Sequence, residues 1–304
     1  MARILIINPK DEKCGVFQFG KTVYDILKKS KGHNYSFHVF KDLETLKEAS
    51  NYYDGFIINW HEKLFPWISE SVIQDFRTPV CFIGGHDCYP PFANCSHVFD
   101  ATSCNAPTKN STPIPRPVKN FDPLPDPPRI TIGSCGFGFH SKNFQHVATV
   151  VAQSYDDALI RLHIPQHPNG DSVETIFHIV QEQLWKLGKP NINVEISTNF
   201  LSDEDLIAFL SQNTANVFLY PPFEGEVRGL SSTIDKALAA KKPFAISDST
   251  MYRHINHEKK FLLSHFSLAD IIEFGTEHIK PFWGEHSEKK LIETVDSIIT
   301  KVCY

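Results

Sequence analysis

The sequence predicts an α/β protein built from two doubly wound parallel sheets, and three observations carry that prediction. Short apolar runs alternate with segments of helical period through the first third of the chain. A proline-dense stretch then interrupts the alternation, with prolines at 107, 113, 115, 117, 123, 125, 127 and 128. Beyond it the alternation restarts on the same plan with no shared sequence, as strands alternating with helices do in parallel sheets. For a chain of 304 residues, two domains of roughly 120–170 residues are the natural division.

In order, residues 3–8 read as a buried parallel strand, 16–29 as a helix, 36–40 as a strand and 43–49 as a short helix. Strands follow at 56–59, 80–84 and 97–101, with a helical segment around 67–76. Such density of proline makes the 107–128 segment extended and stiff, without a helix and with little pairing, so it reads as an interdomain connector. The second half predicts strands at 129–134, 158–163, 193–196 and 217–220 and helices at 143–152, 172–187 and 206–210. Ser202-Asp203-Glu204-Asp205 has the polar, acidic character of a helix start. A helix from Ser231 ends before Pro243 and a last apolar run, the chain turns helical from Ser267, and 287–303 forms a terminal helix. The expected domains are 1–118, 119–286 and a terminal helix at 287–304 that packs back on the first domain.

Composition narrows the function classes. An apolar fraction of 41% and a charged fraction of 21% describe a globular protein, and a net charge of −5 argues against one built to grip nucleic acid. No apolar run reaches the roughly 18 residues that span a bilayer, although peripheral membrane contact stays open. The N-terminus enters an apolar strand without a small-residue cleavage site. Seven cysteines at irregular spacing fit reduced thiols and a cytoplasmic location better than a disulfide framework. Cys88, Cys95 and Cys104 lie near His86 and His97 without the CxxC spacing of a zinc site, so no metal is expected.

The chemistry concentrates in the stretch VFLYPPFEGEVRGLSSTIDKALAAKKPFAISD, residues 217–248. It runs strand, glycine-containing loop, helix start, strand, which in an open parallel sheet places the loop at the carboxyl edge where ligands bind. Ser231, Ser232 and Thr233 stand where the helix begins, and a helix start carries unpaired N–H groups and a partial positive charge suited to a phosphate. The alternative is that Ser231 or Ser232 only caps the helix. Three further loops reach the carboxyl edges: 13–15 with Gly15, 84–87 with His86 and Asp87, and 134–142 with Gly136 and Lys142. The first lacks GxGxxG, so a dinucleotide site is poorly supported. Two Rossmann-like domains would face each other across a cleft lined by these loops.

ITIGSCGFGFHSKNF and EGEVRGLSSTIDKALAAKKPFAISD resemble the strand, loop and lysine that open the second domain, and the donor-binding element, of the GT-B glycosyltransferases, especially the retaining family 4. KCGVFQFG is similar to that family's first glycine loop, GGHD to its histidine loop and TPIPRPV to the segment entering its second domain, in the same order.

The resemblance implies a retaining hexosyltransferase-like enzyme that moves a sugar from a nucleotide sugar to a glycan, lipid or protein acceptor, with no metal or other cofactor. It assigns Lys142 to the donor diphosphate, Glu224 to the donor sugar, and His86 to catalysis or acceptor orientation. Gly15, Gly136, Arg228, Gly229, Leu230, Ser231, Ser232, Thr233 and Asp235 complete the donor site. Departures are equally specific. Phe137 stands where the family commonly has an arginine, and Lys236 where it has the acid that binds the ribose, with Asp235 one position earlier. One residue on a helix turns a side chain by about 100°. A non-catalytic GT-B-like binding or scaffold protein and a GT-B sugar-nucleotide epimerase are the alternatives.

Overall fold

A computed structural model describes residues 1–10, 14–39, 42–84, 94–101, 110–221 and 229–304. They divide into two units, Met1–Pro117 with Val227–Leu230 and Gly284–Tyr304, and Val118–Glu226 with Ser231–Trp283.

The first unit is laid down by β1 (Arg3–Asn8), α1 (Gly15–Leu27), β2 (Asn34–Val39), α2 (Leu43–Ala49), β3 (Gly55–Asn59), α3 (Glu70–Gln74), β4 (Val80–Gly84), β5 (His97–Asp100) and β6 (Ser111–Pro113). The strands pair in parallel in the order β2-β1-β3-β4-β5-β6. Alternation along β1 explains the layers: Ile4 and Ile6 bury with Phe19, Val23 and Ile26 of α1, whereas Leu5 and Ile7 bury on the other face with Leu46 of α2 and Ile73 of α3.

At the carboxyl ends of β1 and β3 two buried amides hold α1 down. Asn8 Nδ2 donates to the Phe17 carbonyl at 2.9 Å, and Asn59 Nδ2 donates to the Val16 carbonyl at 2.6 Å and to Asn8 Oδ1 at 2.7 Å. Gly20 is required there, because a Cβ would lie 2.0 Å from Asn8 Oδ1.

The second unit contains β7 (Thr131–Cys135), α4 (Phe144–Ser154), β8 (Ala158–His163), α5 (Val173–Lys186), β9 (Ile192–Ser197), α6 (Asp203–Ser211), β10 (Ala215–Phe218), α7 (Ser232–Ala240), β11 (Phe244–Ile246) and α8 (Leu268–Glu273). Its strands are parallel in the order β11-β10-β7-β8-β9. Val147, Val151, Ile176, Val180 and Leu268 cover one face and Ile207, Leu210, Ile234 and Leu238 the other. Strand order reverses between β7 and β10, the switch point where open α/β sheets leave a crevice for ligands.

The proline-dense stretch differs from its reading as a connector with little pairing. Ser111–Pro113 is an edge strand on β5, and Ile114 N–H donates to the Asp100 carbonyl at 2.8 Å. An edge position tolerates Pro113 because its missing N–H faces no neighbouring strand. From Val118 onward the segment is strapped to the second unit: Lys119 reaches Glu204 at 2.6 Å, and the Leu124 N–H donates to Ser211 Oγ at 2.8 Å.

After α9 (Lys280–Glu285), α10 (Glu288–Cys303) starts at Ser287, whose hydroxyl accepts the Lys290 N–H. The apolar stripe Leu291, Val295 and Ile299 enters the first unit's core beside Ile4, Ile6 and Val23. Among the described residues no helix is long and apolar enough to cross a membrane. Cys14, Cys81, Cys95, Cys135 and Cys303 are free thiols; Cys88 and Cys104 lie outside the described residues.

Truncating Leu291 or Ile299 to alanine is expected to cost about 2–5 kcal/mol, the range for emptying a buried aliphatic site. Chemical denaturation should show the loss, and an unchanged midpoint would place α10 outside the core.

Three imidazoles give the fold an acid limit. Burial holds His97, His163 and His278 below their ordinary value of 6.5, and for His278 it outweighs the opposing field of Glu258. Below that value the unfolded chain takes up protons that the folded chain refuses, so stability is full above pH 6.5 and falls as pH drops towards the depressed values. His278 packs against Phe261 with ring centroids 4.9 Å apart, and neither of its ring nitrogens has a hydrogen-bond partner among the described residues. His278→Phe is therefore expected to flatten the acid limb of the stability curve between neutral pH and pH 5, as measured by urea unfolding.

Candidate functional site

At the switch point of the second unit Ser134, Cys135, Lys142, Phe218, Leu219, Tyr220, Ser231, Thr233 and Tyr252 line a narrow crevice.

The loop after β7 builds one wall. Gly136, at φ +144°, leaves the strand with its N–H bound to the His163 carbonyl at 3.0 Å. Residues 140–142 form a 3-10 turn and Asn143, at φ 52°, occupies the left-handed region before α4. Asparagine is among the residues that tolerate that region. The backbone path folds Lys142 back over Gly136, where a Cβ would lie 2.6 Å from Lys142 Cε and 3.0 Å from Nζ. Lys142 Nζ then stands 4.5 Å from the centre of the Tyr220 ring, a cation–π distance. Among the described residues no carboxylate pairs with it, so its charge stays available to a ligand.

The facing wall is the start of α7. Ser231 occupies the N-cap position and is buried, yet its side chain accepts no N–H of the helix. Ser172, Ser202, Ser267 and Ser287 all cap their helices by accepting an N–H three residues on. Ser231 is therefore not a side-chain cap, and with Thr233 it lines the crevice. Ser232 is exposed and lies outside the lining.

Ser247, just past β11, fixes Tyr220 from behind. Its Oγ accepts the Tyr220 N–H at 3.0 Å and lies 2.6 Å from the Tyr220 carbonyl, to which its O–H donates. Burial pushes the Cys135 thiol up to about 12, against the opposing field of Lys142 and Lys236, so it is a neutral wall group.

The remaining expected residues are placed as follows. Gly15 opens α1 in the first unit. Gly229 and Leu230 are buried just before Ser231. Asp235 is buried one turn into α7 with its carboxylate 3.9 Å from His254 Nε2, and it does not line the cleft. Lys236, at the position of the expected ribose acid, is engaged by Asp203. Phe137, at the position of the expected arginine, packs with its ring centre 5.0 Å from that of His167 and 6.1 Å from that of Phe139. His86, Glu224 and Arg228 lie outside the described residues.

Sequence reasoning placed the loop 134–142 at the ligand edge without singling out Ser134 or Cys135, and it missed Tyr220 and Tyr252 as wall residues. Tyr220 was visible as the end of the apolar run, and Tyr252 belongs to an aperiodic segment whose only signal is the Ser249-Thr250 turn.

The fold has known counterparts among solved structures. Anabaena HepE in complex with UDP and glucose superposes with a TM-score of 0.66 at 12% identity, covering 99% of this chain and 100% of that one. Acinetobacter baumannii MurG gives 0.56 at 10% identity over 99% and 100% of the two chains. CalG4, the calicheamicin glycosyltransferase, gives 0.53 at 8% over 99% of each. No family model and no curated protein matches the sequence. The likeness is one of fold: two parallel-sheet α/β domains of the GT-B glycosyltransferase architecture.

Gly136→Ala tests the loop. An added Cβ strains the backbone and displaces the Lys142 chain, so the variant should fold with about 1–3 kcal/mol less stability. Mapping lysine accessibility by amine labelling should show Lys142 more reactive than in the parent; equal reactivity would mean that Gly136 does not set its position.

Proposed function

We propose that the protein is a glycosyltransferase whose second unit seats the diphosphate of a nucleotide-sugar donor in the cleft at the start of α7. The observation that carries this reading is the convergence of Lys142, Ser231 and Thr233 on one crevice at the β7/β10 switch point. The GT-B counterparts support it, HepE having been crystallised with UDP and glucose and with UDP-glucose.

In the proposed reaction the bond between the sugar's anomeric carbon and the donor phosphate oxygen breaks, and a bond to an acceptor hydroxyl oxygen forms. The acceptor's proton leaves with the nucleoside diphosphate or to solvent. Negative charge grows on the departing phosphate, where Lys142 and the helix start stabilise it before water can rearrange. This reading needs no metal. Retention, with a glycan, lipid or protein as acceptor, and a cytoplasmic location belong to the same proposal, with His86, Glu224 and Arg228 acting from the loops that the resemblance assigns them.

A second reading, binding without turnover, is favoured by one observation: position 236, where the ribose acid is expected, holds a lysine engaged by Asp203, and the Asp235 carboxylate lies beside His254 and does not line the crevice. Donor consumption separates the two. Calorimetry over the common nucleoside diphosphates and their sugars should find a binder, and turnover of that donor should persist with a chelator present. Lys142→Ala should lower turnover about 10²–10³-fold, the effect of removing one preorganised charge-stabilising group. Binding of no nucleotide would refute the proposal, and a donor bound but never consumed would select the second reading.

A further inference from the structure

Tyr252, a residue of the crevice wall, carries a buried polar group that the proposed chemistry leaves idle. Tyr252 is fully buried, its ring 5.7 Å from that of Tyr220, and its hydroxyl has no hydrogen-bond partner among the described residues. Buried phenols ordinarily find a partner. A phenylalanine would fill the same core volume without burying a polar atom, so the hydroxyl carries a desolvation cost that no described residue offsets.

Its position is fixed independently of any ligand. The Tyr252 N–H donates to the Ser249 carbonyl at 3.0 Å, and the Met251 carbonyl next to it accepts the Ser231 N–H at 3.1 Å. The turn carrying Tyr252 is thus locked to the first residue of the α7 N-terminus, and its side chain forms part of the same wall as Lys142, Ser231 and Thr233. Burial, with the nearby Tyr220 and Cys135, keeps the phenol protonated and hence a donor.

The geometry points to Tyr252 as a ligand-binding residue whose hydroxyl donates to a phosphate oxygen of a nucleoside diphosphate seated at the start of α7. This rests on the donor-site reading above. The wall supplies a cation, three serine or threonine residues and a helix start, and the cleft lining contains no carboxylate. A donor without an acceptor in such a setting is completed by the ligand part richest in acceptor oxygens, which is the diphosphate rather than the base.

The test compares the parent protein with Tyr252→Phe in the full chain, titrating UDP, GDP and ADP by calorimetry with the corresponding nucleosides as phosphate-free probes. The expected result is a diphosphate affinity weakened about tenfold to a hundredfold, the worth of a hydrogen bond to a charged group, with nucleoside binding unchanged. Without ligand the variant should melt at the same temperature or higher. Equal diphosphate affinity in the two proteins overturns the assignment of Tyr252 while leaving the donor site standing. Equal losses for diphosphate and nucleoside, with a lowered melting temperature, overturn it in favour of a packing role. A parent protein that binds none of the diphosphates refutes the donor site itself, and the Tyr252 assignment falls with it.

Discussion

The second unit's crevice depends on one contact, the Lys142 ammonium held 4.5 Å above the Tyr220 ring. A lysine at a loop end would ordinarily swing through solvent and spend its charge on the nearest carboxylate. Here the chain has removed both options. Gly136 lets the aliphatic stem lie flat against the backbone, and the aromatic face gives the head a weakly attractive seat that does not neutralise it. The charge is fixed in place and still unspent. Because Tyr220 follows β10 and Gly136 follows β7, the contact bridges the ends of the two strands between which the sheet order reverses.

α7 shows the complementary economy. Its first turn carries Asp235, whose negative charge would weaken the helix start as an anion site if it faced the crevice. One residue of rotation directs it instead into the interior beside His254. Lys236 turns to α6, where Asp203 engages it and Lys119 stands 3.7 Å from the same carboxylate. The helix therefore offers the crevice hydroxyls and backbone N–H groups, with its ionised side chains committed elsewhere. No carboxylate of α7 lines the crevice.

Most of the fold was legible because parallel strands buried on both faces leave continuous apolar runs. Arg3–Asn8, Ala158–His163 and Leu43–Ala49 appear in the structure where the sequence puts them. Ser111–Pro113 was hidden because three residues with a terminal proline carry no period, and only the neighbouring β5 makes them a strand. In the site, Lys142, Ser231 and Thr233 were legible because a strand followed by a helix start announces its own ligand edge. Tyr220 and Tyr252 were not. They reach the crevice through the crossover that brings β10 beside β7 and through the turn after β11, and such long-range placement leaves no local pattern. The Asp235 question turned on helical phase, which the sequence stated only to within one residue.

A site assembled this way is costly before any ligand arrives. Tyr252 buries a hydroxyl that no described residue engages, and among the described residues no carboxylate pairs with Lys142. Each of these lowers the stability of the empty unit, and the apolar layers on either side of the sheet must offset them. The same features remove reorganisation from binding: donors already fixed and already dry need not be gathered or desolvated when an anion enters. An empty second unit that is less stable than its core predicts, and that gains stability when an anion fills the crevice, is the physical signature of such preorganisation. It also explains why the unit keeps a buried phenol where a phenylalanine would have packed as well.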